Sequence, residues 1–254
     1  MTGPFGYIGG KHRLAKTIIE MLPEHGTYVE VFGGGGQVLF RKPPSRVEVF
    51  NDLDGEVVNF FRVCQSHYQE LLRYLRFVLV SRKWFDMLYQ MSPEGLTDVQ
   101  RAAKYFYLQK NCYAGLVVRK NYIHHIAHIP NYNPAKFPAM IEATYQRLQN
   151  VQIECLPYEQ VFEKFDRPGT LFFLDPPYWN RKLYKFNFEK EDFIKFERRL
   201  RELKGKFILT LNDEPEVRAL FSRFTIKPVQ LAYSAQQENG KKFNELLITN
   251  FPLT

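Results

Sequence analysis

Two hydrophobic periods divide this chain: short continuous apolar runs alternate with longer stretches in which apolar residues recur every three or four positions. Residues 27–32 (TYVEVF) stop at four consecutive glycines, which predicts a buried strand entering a tight turn. A second run at 46–50 (RVEVF) ends on Asn51-Asp52. Runs at 151–155, 170–174 (TLFFL) and 207–211 (FILTL) predict further strands, and 225–231 with 246–250 predict a terminal antiparallel hairpin. Helical spacing predicts a helix over 12–21, ended by Pro23 and Gly26, and another over 138–149. Between 55 and 109 the period is helical, with Trp84, Leu88, Met91, Ala102, Tyr105 and Phe106 marking apolar faces. Residues 111–138 break the pattern and are rich in Asn, Tyr, His and Pro, so an ordered loop or hairpin carrying polar side chains outward is expected there. Strands separated by helices argue for an α/β sheet with helices on both faces, interrupted by a mostly helical insertion.

Composition changes this picture in two ways. A net charge of +8 and a pI near 9.3 favour a polyanionic partner, and basic residues stand beside aromatic ones at Arg73-Tyr74, Lys83-Trp84 and Lys185-Phe186. Cys64, Cys112 and Cys155 lack metal-ligand spacing, and their odd, low number fits free thiols in a reducing compartment. No apolar stretch approaches the roughly 20 residues that span a membrane. Residues 1–11 carry Gly and Lys where a signal peptide needs an apolar run, so a cytoplasmic location is expected.

The chemistry concentrates in two motifs. Glu30-Val31-Phe32 leads into Gly33-Gly34-Gly35-Gly36, where glycines permit positive φ and close approach of the backbone to a ligand. Asp52, at the end of the next strand, stands where nucleotide-binding sheets grip ribose hydroxyls. The second motif is Asp175-Pro176-Pro177-Tyr178 after an apolar strand. Two prolines remove two backbone donors and fix φ, so the chain leaves the sheet there. A carboxylate, free carbonyls and an aromatic ring then face the crevice at the carboxyl ends of the strands. That set suits an exocyclic amine: Asp175 and the Pro176 carbonyl accept its two N–H bonds while Tyr178 stacks on the ring. By itself the tetrad leaves DNA, RNA and protein substrates open.

Over nearly its whole length the chain resembles the Dam-type, D12-class DNA adenine N6-methyltransferases. Tyr7-Ile8-Gly9-Gly10-Lys11 resembles the N-terminal motif that touches the methionine end of S-adenosylmethionine, with Tyr7 in place of the usual Trp. Residues 30–36 resemble the cofactor loop, Asp52 matches the acidic ribose ligand, and Asp175 to Tyr178 matches the catalytic tetrad. Asn111-Cys112-Tyr113-Ala114-Gly115-Leu116 resembles the start of the DNA-recognition hairpin, and the order of the motifs is that of the alpha group. The resemblance implies a Rossmann-like catalytic domain over 1–55 and 146–254, and a target-recognition domain over 56–145. It implies catalytic roles for Asp175, Pro176 and Tyr178, without metal. Cofactor contacts are implied for Tyr7, Lys11, Phe32, Gly33, Gly34, Gly35, Asp52 and Asp175, and Tyr158 is a candidate for the cofactor's adenine ring. The amine would be N6 of an adenine flipped out of the duplex, attacking the methyl group directly. Cytosine C5 chemistry needs a Pro-Cys nucleophile, and no cysteine here follows a proline.

Double-stranded DNA is the implied partner, and no obligatory protein partner is evident. Tyr113 is the candidate wedge beside the extruded base, Arg119 the candidate guanine reader, and Asn121 a further polar contact. Arg181, Lys182, Lys241 and Lys242 are candidate phosphate contacts, which position without reading sequence. His124, His125 and His128 read as solvated loop residues. Ala114 stands where members reading GATC commonly carry Asn, and an extra residue separates Leu116 from Arg119, so GATC is only a candidate target. An RNA or protein amide methyltransferase and an inactive DNA-binding relative are the alternatives. Asp175, the Gly-Gly-Lys motif and the insertion favour DNA adenine over the first, and intact Lys11, Asp52, Asp175 and Tyr178 argue against the second.

Overall fold

The computed structural model describes residues 1–76, 78–123, 132–231 and 243–253. In chain order the strands are β1 (Thr27–Glu30), β2 (Val47–Asn51), β3 (Val151–Glu154), β4 (Thr170–Leu174), β5 (Lys206–Asn212), β6 (Thr225–Leu231) and β7 (Phe243–Thr249). The helices are α1 (Ala15–Glu20), α2 (Gly55–Ser66), α3 (Tyr68–Leu75), α4 (Arg82–Gln90), α5 (Asp98–Asn111), α6 (Phe137–Leu148), α7 (Tyr158–Phe165), α8 (Lys190–Arg201) and α9 (Pro215–Leu220). Among the described residues the strands form one sheet in the order β3-β2-β1-β4-β5-β7-β6. The first five are parallel, and β7 runs antiparallel to both β5 and β6.

Strand residues sort by parity, because successive side chains in a strand point to opposite faces. Tyr28, Phe50, Leu171, Phe173, Ile208 and Leu247 pack into one core, against α1, α2, α5 and α6. Val29, Val49, Phe172, Leu174, Leu209 and Ile248 pack into the other, against α7, α8 and α9. The parallel strands are therefore apolar on both faces, as a sheet covered by helices requires. Helices α3, α4 and α5 add Leu71, Leu75, Phe85 and Phe106 to the first core, so they extend the sheet's own packing.

The expected helix at 12–21 starts three residues late, because residues 12–14 form a turn and no side chain caps the helix. The last strand starts earlier than expected. Glu245 interrupts the apolar pattern, yet it belongs to β7 and pairs with Asn212 and Val229. In the 111–138 segment the described part contains an isolated antiparallel bridge between Cys112 and Tyr122 and short 3-10 turns at Tyr113–Gly115 and Pro134–Lys136. His124, His125, His128, Lys241 and Lys242 lie outside the described residues. No helix among the described residues is long and apolar enough to cross a membrane.

Phe61 is the hub of the first core, with ring centroids of Phe5, Phe40, Phe50 and Phe60 between 4.8 and 5.7 Å away. Phe61→Ala is expected to destabilise the protein by about 3–5 kcal/mol in a urea titration. Ile194→Ala, at a residue 48% exposed, is expected to stay within about 0.5 kcal/mol.

Candidate active site

Strand order reverses between β1 and β4: the chain builds β1-β2-β3 outward in one direction, then crosses back to lay β4 and β5 on the other side. A ligand crevice forms outside the carboxyl ends of the strands at such a point. Register fixes what reaches it. Glu30 lies opposite both Phe50 and Phe173, so the chain leaving β1, β2 and β4 emerges at one edge. A solvent-open cleft of about 790 Å³ lies there, lined by Tyr7, Lys11, Glu30, Phe32, Asp52 and Asp175, and by Gly33, Gly34 and Gly35.

The glycine turn is closed by its neighbours. Gly34 has φ +48°, and its N–H donates to Asp52 Oδ2 at 2.7 Å. A side chain on Gly33 would meet the Phe50 ring at 2.2 Å, and one on Gly34 would meet the Tyr7 ring at 2.9 Å. Asp52 Oδ1 accepts the Asp54 N–H at 2.7 Å, while Asp54 caps α2 by accepting from Glu56 N–H. Burial pushes the Asp52 carboxyl up to about 6, with the Asp54 and Gly34 N–H groups opposing it. Asn51 locks three loops together, donating to the Val31 and Leu156 carbonyls and accepting from Leu156 N–H.

Lys11 is 3% exposed and crosses to the tetrad. Its ammonium lies 2.6 Å from Asp175 Oδ1 and donates to Tyr178 Oη at 2.6 Å and to the Gly9 carbonyl at 2.8 Å. Thr210, on β5, also donates to Asp175 Oδ1, at 2.8 Å. Burial opposes the Lys11 charge, but Asp175, then Glu245 and Tyr184, hold its pKa above that of a free lysine. Burial raises the Asp175 carboxyl, and Lys11 and Thr210 pull it back. Pro176 is buried and Tyr178 half-buried beside this pair.

The structure thus brings Tyr7, Lys11, Phe32, Gly33, Gly34, Gly35, Asp52 and Asp175 to one cleft, with Pro176 and Tyr178 adjoining. Tyr158 is not on the cleft wall. It opens α7 and packs behind Phe32 and Phe188, with ring centroids 6.2 and 5.8 Å away. Tyr113, Ala114, Arg119 and Asn121 are exposed and do not line the cleft, although Val117 between them does. Ala114 and Arg119 have φ +51° and +50°, a left-handed conformation that costs a non-glycine residue roughly 1–2 kcal/mol unless it is Asn or Asp. Lys120 turns inward instead, to Gln109 and the Leu116 carbonyl. Arg181 and Lys182 are exposed, and Lys182 pairs with Glu189 at 2.8 Å.

Sequence reasoning missed several residues of the site. Tyr184, Phe186 and Phe188 close one side of the cleft, and Tyr184 donates to the Ile8 carbonyl at 3.1 Å. No periodicity marks them. Glu245 reaches the Lys11 ammonium from β7 at 3.8 Å, and its signal was available as an acid inside an apolar strand. Gly115 ties the exposed turn to the N-terminal motif: its carbonyl accepts from Ile8 N–H at 3.0 Å, and a side chain on it would strike Gly6 at 2.7 Å.

A family model described as D12 class N6 adenine-specific DNA methyltransferase matches residues 7–235. The chain is 25% identical over 244 residues to the DNA N-6-adenine-methyltransferase of Escherichia phage P1, which covers 89% of this chain but only 32% of that longer protein. Two relatives match end to end. The type II methyltransferase M.CviBI of Paramecium bursaria Chlorella virus NC1A is 23% identical over 249 residues, covering 95% of each chain. The type II methyltransferase M.MjaIII of Methanocaldococcus jannaschii is 26% identical over 282 residues, covering 96% of this chain and 97% of the relative.

Glu30 lends itself to a test that needs no ligand. Its Oε2 accepts from Tyr28 Oη and Leu39 N–H, both at 2.8 Å, yet burial outweighs these bonds and pushes the carboxyl from 4.5 up to about 8. The folded state therefore holds this proton more tightly than the unfolded one. Its stabilising effect is full below about pH 4.5 and is lost as pH rises through 8. Urea midpoints should fall across this window, with a slope of up to about 1.4 kcal/mol per pH unit. Glu30→Gln should flatten that slope; an unchanged slope would mean that Glu30 is ionised in the folded protein.

Proposed function

The chain belongs to the D12 class of N6 adenine-specific DNA methyltransferases, and from that premise we propose that it moves a methyl group from S-adenosylmethionine to N6 of an adenine turned out of duplex DNA. The observation that carries this reading is the single cleft at the strand reversal, in which the glycine turn, Asp52 and Asp175 converge. Asp52, Asp54 and Asp175 line it with Lys11 and Lys185, three acids against two ammonium groups, while Glu30 beside them holds its proton near neutral pH. Such a lining suits a ligand that carries positive charge, and the aromatic ring of Tyr7 above the glycine turn adds a face that attracts cations.

When bound, S-adenosylmethionine supplies an electrophilic methyl group on a positively charged sulfur. Asp52 would take the ribose hydroxyls, and the 33–35 backbone would let the cofactor approach closely. At the tetrad, Lys11 and Thr210 both bond to Oδ1 of Asp175, which leaves Oδ2 for an incoming amine. Asp175 Oδ2 and the Pro176 carbonyl would accept the two N–H bonds of N6, directing its lone pair at the methyl group. N6 would gain the methyl group as the cofactor's sulfur leaves as a neutral thioether, and the surplus N6 proton would pass to Asp175 Oδ2 and from there to solvent. Positive charge grows on N6 in this step, and the Asp175 carboxylate is placed to stabilise it. Tyr178, its hydroxyl held by Lys11, would stack on the adenine.

On the DNA side, residues 56–145 would form the target-recognition region within a catalytic frame of 1–55 and 146–254. Tyr113, 60% exposed, would fill the space left by the flipped base. Arg119 and Asn121 would face base edges, and Arg181 and Lys182 phosphates. The left-handed backbone at Ala114 gives Asn a conformational reason to occupy this position in GATC-reading members, apart from any base contact.

Purified protein with tritiated S-adenosylmethionine should label unmethylated duplex DNA as N6-methyladenine. Label only on RNA, protein or cytosine would overturn the reading. Asp175→Ala should lower kcat by at least about 100-fold while cofactor binding persists. Cofactor affinity should also weaken as pH falls through about 6, where Asp52 takes up a proton. Calorimetry across that range should find Asp52→Asn weaker by roughly 10- to 100-fold and insensitive to pH, as for a lost hydrogen bond to a charged group. An equally pH-sensitive variant would remove Asp52 from the cofactor site.

A further inference from the structure

The buried centre around Lys11 holds two carboxylates for one ammonium. All three protons of Lys11 are committed: to the Gly9 carbonyl, to Tyr178 Oη and to Asp175 Oδ1. Glu245 nevertheless points at the same centre. It is 8% exposed, its Oε2 stands 3.8 Å from the Lys11 nitrogen, and that oxygen is buried without a hydrogen-bond partner. Tyr178, the aromatic member of the tetrad, meets the same ammonium through its hydroxyl, at 2.6 Å. Glu245 sits on β7 between Asn212 of β5 and Val229 of β6, so its position is fixed by two ladders.

Burying a carboxylate with an unpaired oxygen is costly, and a purely structural strand residue would be apolar here, as Leu246, Leu247 and Ile248 are. Charge supplies a reason. Lys11 alone with Asp175 would form a neutral pair, and a neutralised Asp175 is a poor partner for an amine acquiring positive charge. With Glu245 ionised the centre carries one negative charge in excess beside the reacting amine; burial and Asp175 raise the Glu245 carboxyl, and Lys11 pulls it back.

We propose that Glu245 is a positioning residue that offsets the charge of Lys11, so that Asp175 keeps its negative charge for the substrate amine. This rests on the methyltransferase reading above. Four titratable groups face Lys11: Asp175 from the end of β4, Glu245 from β7, Tyr178 from the tetrad and Tyr184 from the loop that follows it. Of these, Glu245 can be changed without touching the tetrad. Loss of its charge should make Lys11 easier to deprotonate.

The experiment compares wild type, E245Q and E245D. The Lys11 amine is followed by ¹⁵N-lysine NMR in ligand-free protein, its resonance assigned by Lys11→Met, and melting temperatures confirm folding. E245Q should titrate Lys11 at lower pH than wild type and move the basic limb of the kcat profile the same way. Its kcat should fall by roughly 10- to 100-fold, less than the loss of a direct transition-state contact, with KM for S-adenosylmethionine within about twofold. E245D keeps the charge, so it should hold the Lys11 titration near wild type and recover part of kcat. An unmoved Lys11 titration in E245Q, or a loss in KM alone, would overturn the proposal, as would E245D behaving like E245Q. Should E245Q fail to fold, E245D carries the test: Lys11 titrating below free lysine, about 10.4, overturns it. If wild type labels no DNA, the methyltransferase reading fails, while the ligand-free titration still decides the charge relation between Glu245 and Lys11.

Discussion

Between residue 11 and residue 175 runs a 2.6 Å ion pair that takes both charges out of water. Such a pair is stable only with further bonds around it, and here Gly9 and Tyr178 take the other protons of Lys11 while Thr210 donates to Oδ1 of Asp175. The consequence is architectural. An N-terminal segment with no place in the sheet is pinned across the carboxyl end of β4, and Tyr184 pins it again at Ile8. With that segment held down, Tyr7 closes over the glycine turn and the strand ends become a walled cleft. Weakening the pair would expose a buried lysine and open the wall together.

Charge is partitioned by depth. The chain as a whole carries +8, and exposed Arg119, Arg181 and Lys182 present that sign outward. The cleft has the opposite balance, with Asp52 and Asp54 after β2 and Asp175 after β4. A basic exterior attracts a polyanion, while an acidic interior favours a small cationic ligand and a developing positive charge. Parallel strand ends make the second environment possible, because register brings the ends of β2 and β4 to one edge, and Asp52 and Asp175 with them.

The exposed turn at 113–116 is mechanically part of the same unit. Gln109 donates to both the Gly6 and Gly115 carbonyls, at 2.9 and 2.8 Å, and Ile8 N–H completes the seam. The insertion and the cleft therefore share a backbone joint next to Tyr7. Gly115, at φ +67° and against Gly6, is the residue that joint cannot replace.

Local chemistry carried much of this in the amino-acid order alone. Apolar runs ending in Gly33–Gly36, in Asn51-Asp52 and in the Asp175 tetrad announced buried strands and the loops that follow them, because strand burial and proline or glycine geometry act over a few residues. Family membership was legible for the same reason, since its motifs are short and contiguous. Other features arose only from packing between distant segments. Tyr158 lies in a plausible position along the chain, yet Phe32 and Phe188 stand between it and the cleft. Tyr184 bears no local mark of a site and Glu245 only that of an acid in an apolar strand, and they meet Lys11 or its neighbours only because β7 inserts between β5 and β6 and the tetrad loop folds back over the N-terminus. The sequence determined which groups could do chemistry, while the tertiary structure decided which of them share one low-dielectric space, where distances of a few ångströms set their charge.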